Sequence, residues 1–152
     1  MTEISLRKPT VKDAPEIQKL LAQFADRQLL LPLTVGQVVE RLRDFVIAEE
    51  GGCLVGCGAL HLWSDLAEVR SLAVVESHWR KGIGARIVRA CLQEGRDLGI
   101  TRVFVLTYKP EFFERLGFRR VPKDQFPHKI WEDCMNCPQF PNCTETALVT
   151  EL

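Results

Sequence analysis

Two glycines, Gly82 and Gly84, sit between an apolar strand-like run, Ala67–Val75, and a stretch from Ile83 to Leu98 with one apolar side. The unbroken apolar run Val103-Phe104-Val105-Leu106 follows. Ile83, Ile87, Val88, Cys91 and Leu92 recur at helical spacing, and Gly99 supplies a stop. A strand, a helix and a second strand apolar on both faces make a βαβ unit, whose two strands run parallel. That unit commits the chain to an α/β sheet in which a tight Gly-rich turn feeds the start of a long helix.

The remaining elements are shorter. Ile4–Arg7 reads as a strand. Asp13-Ala14-Pro15-Glu16 reads as a helix start, with Asp13 as cap and Glu16 completing a capping box, before Ile17, Leu20, Leu21 and Phe24. Thr34-Val35-Gly36-Gln37 is a second capping box, and Val35, Val38, Val39 and Leu42 mark one helix face. The apolar stretch Leu29–Leu33 between these helices suits either a buried connector or a lid over a pocket. Phe45–Glu49, Cys53–Trp63 and Ala67–Val75 are strands separated by the turn residues Glu50-Gly51-Gly52 and Ser64-Asp65, so an antiparallel meander is expected. Pro110–Arg115 is a short helix, and Phe118–Val121 and Thr146–Thr150 are closing strands. The expected fold is therefore α/β (α+β): a mixed sheet of about six or seven strands, antiparallel in its N-terminal part, with helices on both faces. Residues 1–152 form one domain, with a Cys-rich loop at about 128–144.

Composition excludes several classes. Lys plus Arg number 20 and Asp plus Glu number 20, so there is no net charge and no basic stripe to attract nucleic acid. No apolar run approaches the ~20 residues that span a bilayer, and the N-terminus lacks a signal-peptide pattern. A cytoplasmic protein is expected. A homodimer is one assembly the sequence leaves open.

The turn itself carries chemistry. Glycine lets a backbone approach a ligand closely, and the N–H groups and dipole of a helix start suit an anion. Arg80 and Lys81 add positive charge. A plain tight turn with solvated basic side chains would use the same residues. A Walker loop is excluded because Gly-Lys-Ser/Thr is missing, and the three-glycine dinucleotide fingerprint is unmet.

The segment Trp79-Arg80-Lys81-Gly82-Ile83-Gly84 resembles the pyrophosphate loop of the GNAT N-acetyltransferase superfamily, Arg/Gln-x-x-Gly-x-Gly/Ala. Trp79 stands at the pattern's first position, Arg or Gln in the pattern, with Arg80 next door. Phe112-Phe113-Glu114-Arg115-Leu116-Gly117-Phe118 resembles the superfamily's Phe-Tyr-Glu-Lys-Leu-Gly-Phe signature. The resemblance spans nearly the whole chain. It implies the GNAT fold and acetyl-CoA as co-substrate, held by Leu72, Ala73, Val74, Trp79, Arg80, Lys81, Gly82, Ile83, Gly84 and Ala85.

Acetyl transfer from a thioester to a small-molecule amine requires the amine to lose a proton, the oxyanion to be stabilised and the thiolate to leave. The resemblance implies Glu68, early on the strand that leads to the loop, as the general base. Desolvation in a partly buried cleft disfavours a carboxylate's charged form, as a base working near neutrality requires. The plain alternative is a Glu68 paired with Arg70, which shares its strand face. Backbone N–H groups near Leu72 or Ala73 would hold the oxyanion. The signature's tyrosine, an acid in many members, is Phe113 here and cannot donate. Tyr108, the only tyrosine, is the candidate acid, with unassisted thiolate departure or water as alternatives.

Within the superfamily the chain is most similar to the short bacterial N-acetylglutamate synthases. Ala67–Val74, the stretch from Leu106-Thr107 through Gly117-Phe118, and Leu29–Thr34 carry that likeness. It implies L-glutamate as acceptor and a role in arginine biosynthesis. The family's basic residue before Thr34 is Leu33 here, so Arg70, Lys109, Lys129 or Arg27 must supply charge for a dicarboxylate. Other amines, or a catalytically silent acetyl-CoA-binding regulator, are the alternatives.

Cys134, Cys137 and Cys143, with His128, have ligand types that would complete a tetrahedral zinc site. A structural loop over the acceptor pocket is the expectation, with no metal. Cys53, Cys57 and Cys91 read as core cysteines, and His61 and His78 as structural.

Overall fold

The computed structural model describes residues 3–25, 33–122 and 145–152. The elements, in chain order, are β1 (Ile4–Arg7), α1 (Ala14–Ala25), α2 (Val35–Glu40), β2 (Phe45–Glu50), β3 (Cys53–Trp63), β4 (Leu66–Val74), α3 (Ile83–Asp97), β5 (Arg102–Thr107), α4 (Pro110–Arg115), β6 (Arg119–Val121) and β7 (Thr146–Glu151). The strands form one mixed sheet in the order β1-β2-β3-β4-β5-β7-β6. β1 through β4 are antiparallel neighbours, β4 and β5 are parallel, and β7 lies antiparallel between β5 and β6.

Local chemistry accounts for the meander. Gly51 and Gly52 both take positive φ, 59° and 80°, as a tight hairpin turn between β2 and β3 requires. Ser64-Asp65 closes the β3–β4 hairpin, which sets Trp63 opposite Leu66 and His61 opposite Glu68. α3 packs Ile83, Ile87, Val88, Cys91 and Leu92 onto one face of the sheet, against Val69, Val103, Val105 and Leu148, and Phe113 of α4 joins this core. α1 covers the other face, where Ile17, Leu20 and Leu21 meet Phe45, Ile47, Cys57 and Ala59. β5 is apolar on both faces because both are covered: Val103 and Val105 face α3, while Phe104 packs with Ala147 and Val149.

The feature that positions the site is a break in the sheet. β4 pairs with β5 only at Leu66–Arg102, Ala67–Val103 and Glu68–Phe104. Both strands run on, to Val74 and Thr107, so the parallel pair opens into a cleft after Glu68. On its other edge β4 carries a bulge: Ala59 pairs with Arg70 and Cys57 with Ala73, leaving Ser71 and Leu72 opposite Gly58. Ser71 has a φ of 57°, and its carbonyl accepts from the Cys57 thiol at 3.4 Å. The extra residue reverses the strand's alternation, so that Val69 and then Leu72 and Val74 pack toward α3.

Three sequence expectations are corrected. Asp13 does not cap α1. It ends a 3-10 turn, Val11–Asp13, where its carboxylate accepts from the Thr10 backbone at 2.7 Å and from the Arg7 guanidinium at 2.9 Å. The helix then starts directly from that turn at Ala14. In α2 only Val38 is buried; Val35 and Val39 face out, because the helix ends at Glu40 before a second apolar row forms. Cys53 is exposed at the hairpin end of β3, whereas Cys57 and Cys91 are buried. The second capping box is present: the Thr34 hydroxyl accepts from Gln37 N, and the Gln37 side chain accepts from Thr34 N. Among the described residues no helix is long and apolar enough to cross a membrane.

Candidate active site

The loop from Val75 to Gly82 crosses the open end of the cleft. Arg80 and Gly82 both adopt left-handed backbone, with φ of 67° and 79°. Alternating backbone of this kind turns successive N–H groups toward a common point. Gly82 is the N-cap of α3, and the helix's first intrahelical bond is Arg86 N to Gly82 O, so the N–H groups of the first turn lie ahead of the ladder. Nothing lies within 4 Å of where a Gly82 Cβ would stand, which leaves an open cradle of backbone donors at a helix start. Arg80 and Lys81 are exposed beside it. The donor set fits the negatively charged phosphates of a coenzyme A moiety.

Gly84 also has a packing role. A Cβ there would meet Phe112 Cζ at 3.3 Å, so this glycine admits α4 against the start of α3. Trp79 is a tether. Its Nε1 donates to the Val74 carbonyl at 2.7 Å, its ring lies 6.4 Å from that of Phe24, and Lys109 Nζ sits 5.2 Å above it. Val75 N bonds Val55 O across to β3, so the alternation of the ladder turns the Val74 carbonyl away from β3 and toward the cleft.

Glu68 sits where β4 and β5 part. It is 2% exposed, and no other buried polar or charged residue is found among the described core positions. Trp63 Nε1 donates to Glu68 Oε1 at 3.0 Å, and Arg70 Nη1 lies 3.7 Å from the same oxygen. His61, the cross-strand partner of Glu68, places Nδ1 3.0 Å from Asp44 Oδ2. Tyr108 is half-buried in the β5–α4 connection and Lys109 is the N-cap of α4, so both lie at the far wall of the cleft. Leu33 is half-buried against the α1 core, and its carbonyl accepts from Gln18 at 3.3 Å. Arg27, Lys129, His128, Cys134, Cys137 and Cys143 lie outside the described residues.

Sequence reading missed Trp63 and Asp44. Trp63 was recoverable: a two-residue turn at Ser64-Asp65 puts residues 63, 66 and 68 on one sheet face. Asp44 reaches His61 from a 3-10 turn that follows α2, a placement no local signal reveals.

Residues 12–118 match the family model for the Acetyltransferase (GNAT) family. The chain is 38% identical to an uncharacterized N-acetyltransferase of Chlorobaculum tepidum, over 97% of this chain and 96% of that protein. It is 42% identical to an amino-acid acetyltransferase of Mycobacterium tuberculosis, over 84% of this chain and 75% of that protein. Its fold superposes on N-acetylglutamate synthase from Neisseria gonorrhoeae, solved with coenzyme A and N-acetyl-glutamate, with a TM-score of 0.89 and 26% identity. That match covers all of this chain and 36% of the synthase's. The open sheet, the glycine cradle and these matches define an acetyl-CoA-dependent acyltransferase. The chain belongs to the GNAT family of N-acetyltransferases.

Proposed function

We propose that the chain transfers the acetyl group of acetyl-CoA directly to the α-amine of an amino acid, with L-glutamate as acceptor. The single observation that carries this reading is a buried carboxylate, Glu68, at the point where β4 and β5 separate, on the strand whose far end leads into the cradle of backbone donors for the cofactor. The likeness to amino-acid acetyltransferases over most of the chain supports the acceptor class.

In this reading acetyl-CoA supplies the activated acetyl thioester, and the chain's residues do the rest. The N–H groups from Gly82 through Ala85, with Arg80 and Lys81, bind phosphate oxygens. Leu72, Ala73 and Val74 line the opened edge of β4, and a backbone N–H there donates to the acetyl carbonyl oxygen as negative charge develops. Glu68 accepts the proton that the amine sheds. Arg70, half-buried beside Glu68, and Lys109 supply positive charge for an acceptor carboxylate. Tyr108, half-buried in the β5–α4 connection, is the group that in this reading returns a proton to the departing thiolate.

Residues 1–152 are read as one domain, and the Cys-rich segment at about 128–144, expected to hold no metal, lies outside the described residues. The role in arginine biosynthesis and the cytoplasmic location belong to the same reading. Release of coenzyme A thiol, measured with a panel of amino acids, polyamines and peptide N-termini, tests the acceptor. Glutamate should give the highest kcat/KM. A higher value for a polyamine or a peptide would replace the acceptor assignment, and no release with any amine would favour a silent acetyl-CoA-binding regulator.

A further inference from the structure

Glu68 needs more than burial to act as a base. A carboxylate excluded from water must be partnered, and its orientation must be held for a proton to move along a defined line. The hairpin supplies the means. The turn at Ser64-Asp65 sets Trp63 opposite Leu66 and His61 opposite Glu68, so Trp63, His61 and Glu68 share one sheet face. Within that face the indole spans the diagonal and donates from Nε1 to Glu68 Oε1 at 3.0 Å. The direction is unambiguous because an indole is a donor only.

We propose that Trp63 is the positioning residue for Glu68, and that His61, anchored by Asp44, holds the indole in place. This inference rests on the reading of Glu68 as the base. Arg70 Nη1, at 3.7 Å, is near enough to contribute charge but too far for a directional hydrogen bond. Trp63 supplies a directional hydrogen bond at 3.0 Å from a neutral donor. His61 meets the indole edge-on, ring centroids 4.7 Å apart at 77°. Its Nδ1 donates to Asp44 Oδ2 at 3.0 Å, which fixes the ring that the indole leans on. The sequence of contacts therefore runs Asp44, His61, Trp63, Glu68, and each link is a direct one.

Charged and titratable groups in contact with this network include Arg70 from β4, His61 from β3 and Asp44 from the turn before β2. β5 places the apolar Phe104 opposite Glu68. A donor aimed at a carboxylate favours its charged form. Losing the indole N–H should therefore move the acidic limb of the rate profile toward higher pH.

The test uses the full chain, acetyl-CoA and the best acceptor from the amine panel. Trp63→Phe keeps a ring against His61 and removes the N–H. Turnover should fall about tenfold, the worth of one hydrogen bond to a charged group, and the acidic limb should move toward higher pH, with KM for acetyl-CoA unchanged. The Trp63→Phe/Glu68→Gln double variant should be no slower than Glu68→Gln alone, because the indole acts through the carboxylate. An acidic limb that stays in place in a folded Trp63→Phe protein, or fully additive losses, would overturn the proposal. If Trp63→Phe fails to fold, His61→Asn, which keeps a donor toward Asp44 and removes the ring, should shift the limb the same way by less, and an unmoved limb would again overturn it. Wild-type turnover in Glu68→Gln would instead refute the base assignment, so the two failures are distinct.

Discussion

Trp79 Nε1 donates to the carbonyl of Val74 at 2.7 Å, folding the cofactor loop back onto the end of β4. The family pattern has Arg or Gln at the position of Trp79, and here an indole takes it. The same ring meets Phe24 from α1 and carries Lys109 from the start of α4. One side chain thus links three elements around the cleft mouth. Trp79→Phe keeps the ring and loses the N–H. KM for acetyl-CoA should rise about fivefold, as expected for one hydrogen bond, with kcat changed by less than about twofold. Steady-state kinetics with varied acetyl-CoA checks the split, and an equal fall in kcat would place the residue in the chemical step instead.

Gly82 separates backbone strain from ligand exclusion. Its φ of 79° suits glycine, and no atom lies within 4 Å of the added Cβ. Gly82→Val should therefore fold at a cost of roughly 1–2 kcal/mol from the left-handed backbone. The isopropyl group would stand where phosphate must approach. Calorimetric titration should find acetyl-CoA binding abolished in the folded variant, and unchanged affinity would refute the cradle.

Acid stability has an identifiable contributor at the N-terminus. The Arg7 guanidinium, hydrogen-bonded to both oxygens of Asp13, holds that carboxyl below the usual carboxylate range. A carboxyl lowered in the folded state contributes stability that is present above its unfolded value, ~4, and is lost as pH falls through the folded value. Asp13→Asn should lower the melting temperature at pH 6 to 7. The gap between variant and wild type should close below about pH 4, as seen by thermal unfolding across pH.

Thiol reactivity should divide the described cysteines. Burial pushes the Cys57 and Cys91 thiols up to about 12, so neither offers thiolate near neutrality. Cys53 is exposed. Iodoacetamide treatment of the native protein at pH 7.5, followed by peptide mass spectrometry, should label Cys53 and leave Cys57 and Cys91 unmodified until denaturant is added. Early labelling of Cys57 would mean that the bulge it supports at Ser71 opens in the native state.

Sequence and structure agree where the signal is local. The βαβ unit was legible because α3 has one apolar side and a glycine stop, and because β5 is apolar on alternate and intervening positions alike. The type of each meander strand followed from turn residues with defined backbone needs. The cleft was not legible. It depends on a bulge whose extra residue, Ser71, takes a backbone conformation unusual for serine, and on Gly58, where a Cβ would lie 2.6 Å from Ile87 of a distant helix. The place of β7 between β5 and β6 is a non-local pairing with no sequence marker. Glycine spacing singled out the loop but not the packing need at Gly84, because the atom that excludes its side chain, on Phe112, comes from another element. Asp13 was misread as the α1 cap for a similar reason: its partner, Arg7, belongs to the preceding strand.

The proposed role of Glu68 is to take the amine's proton in acetyl transfer. The most direct test is turnover of Glu68→Gln, followed as thiol release from acetyl-CoA with L-glutamate. Gln preserves size and can still accept from the Trp63 indole, so the fold should be retained, as a thermal melt will verify. Turnover should fall by roughly 10²–10⁴, the usual worth of a general base, with acetyl-CoA affinity unchanged. A folded Glu68→Gln protein that turns over at near the wild-type rate would contradict the account and leave Glu68 as the structural partner of Arg70 and Trp63.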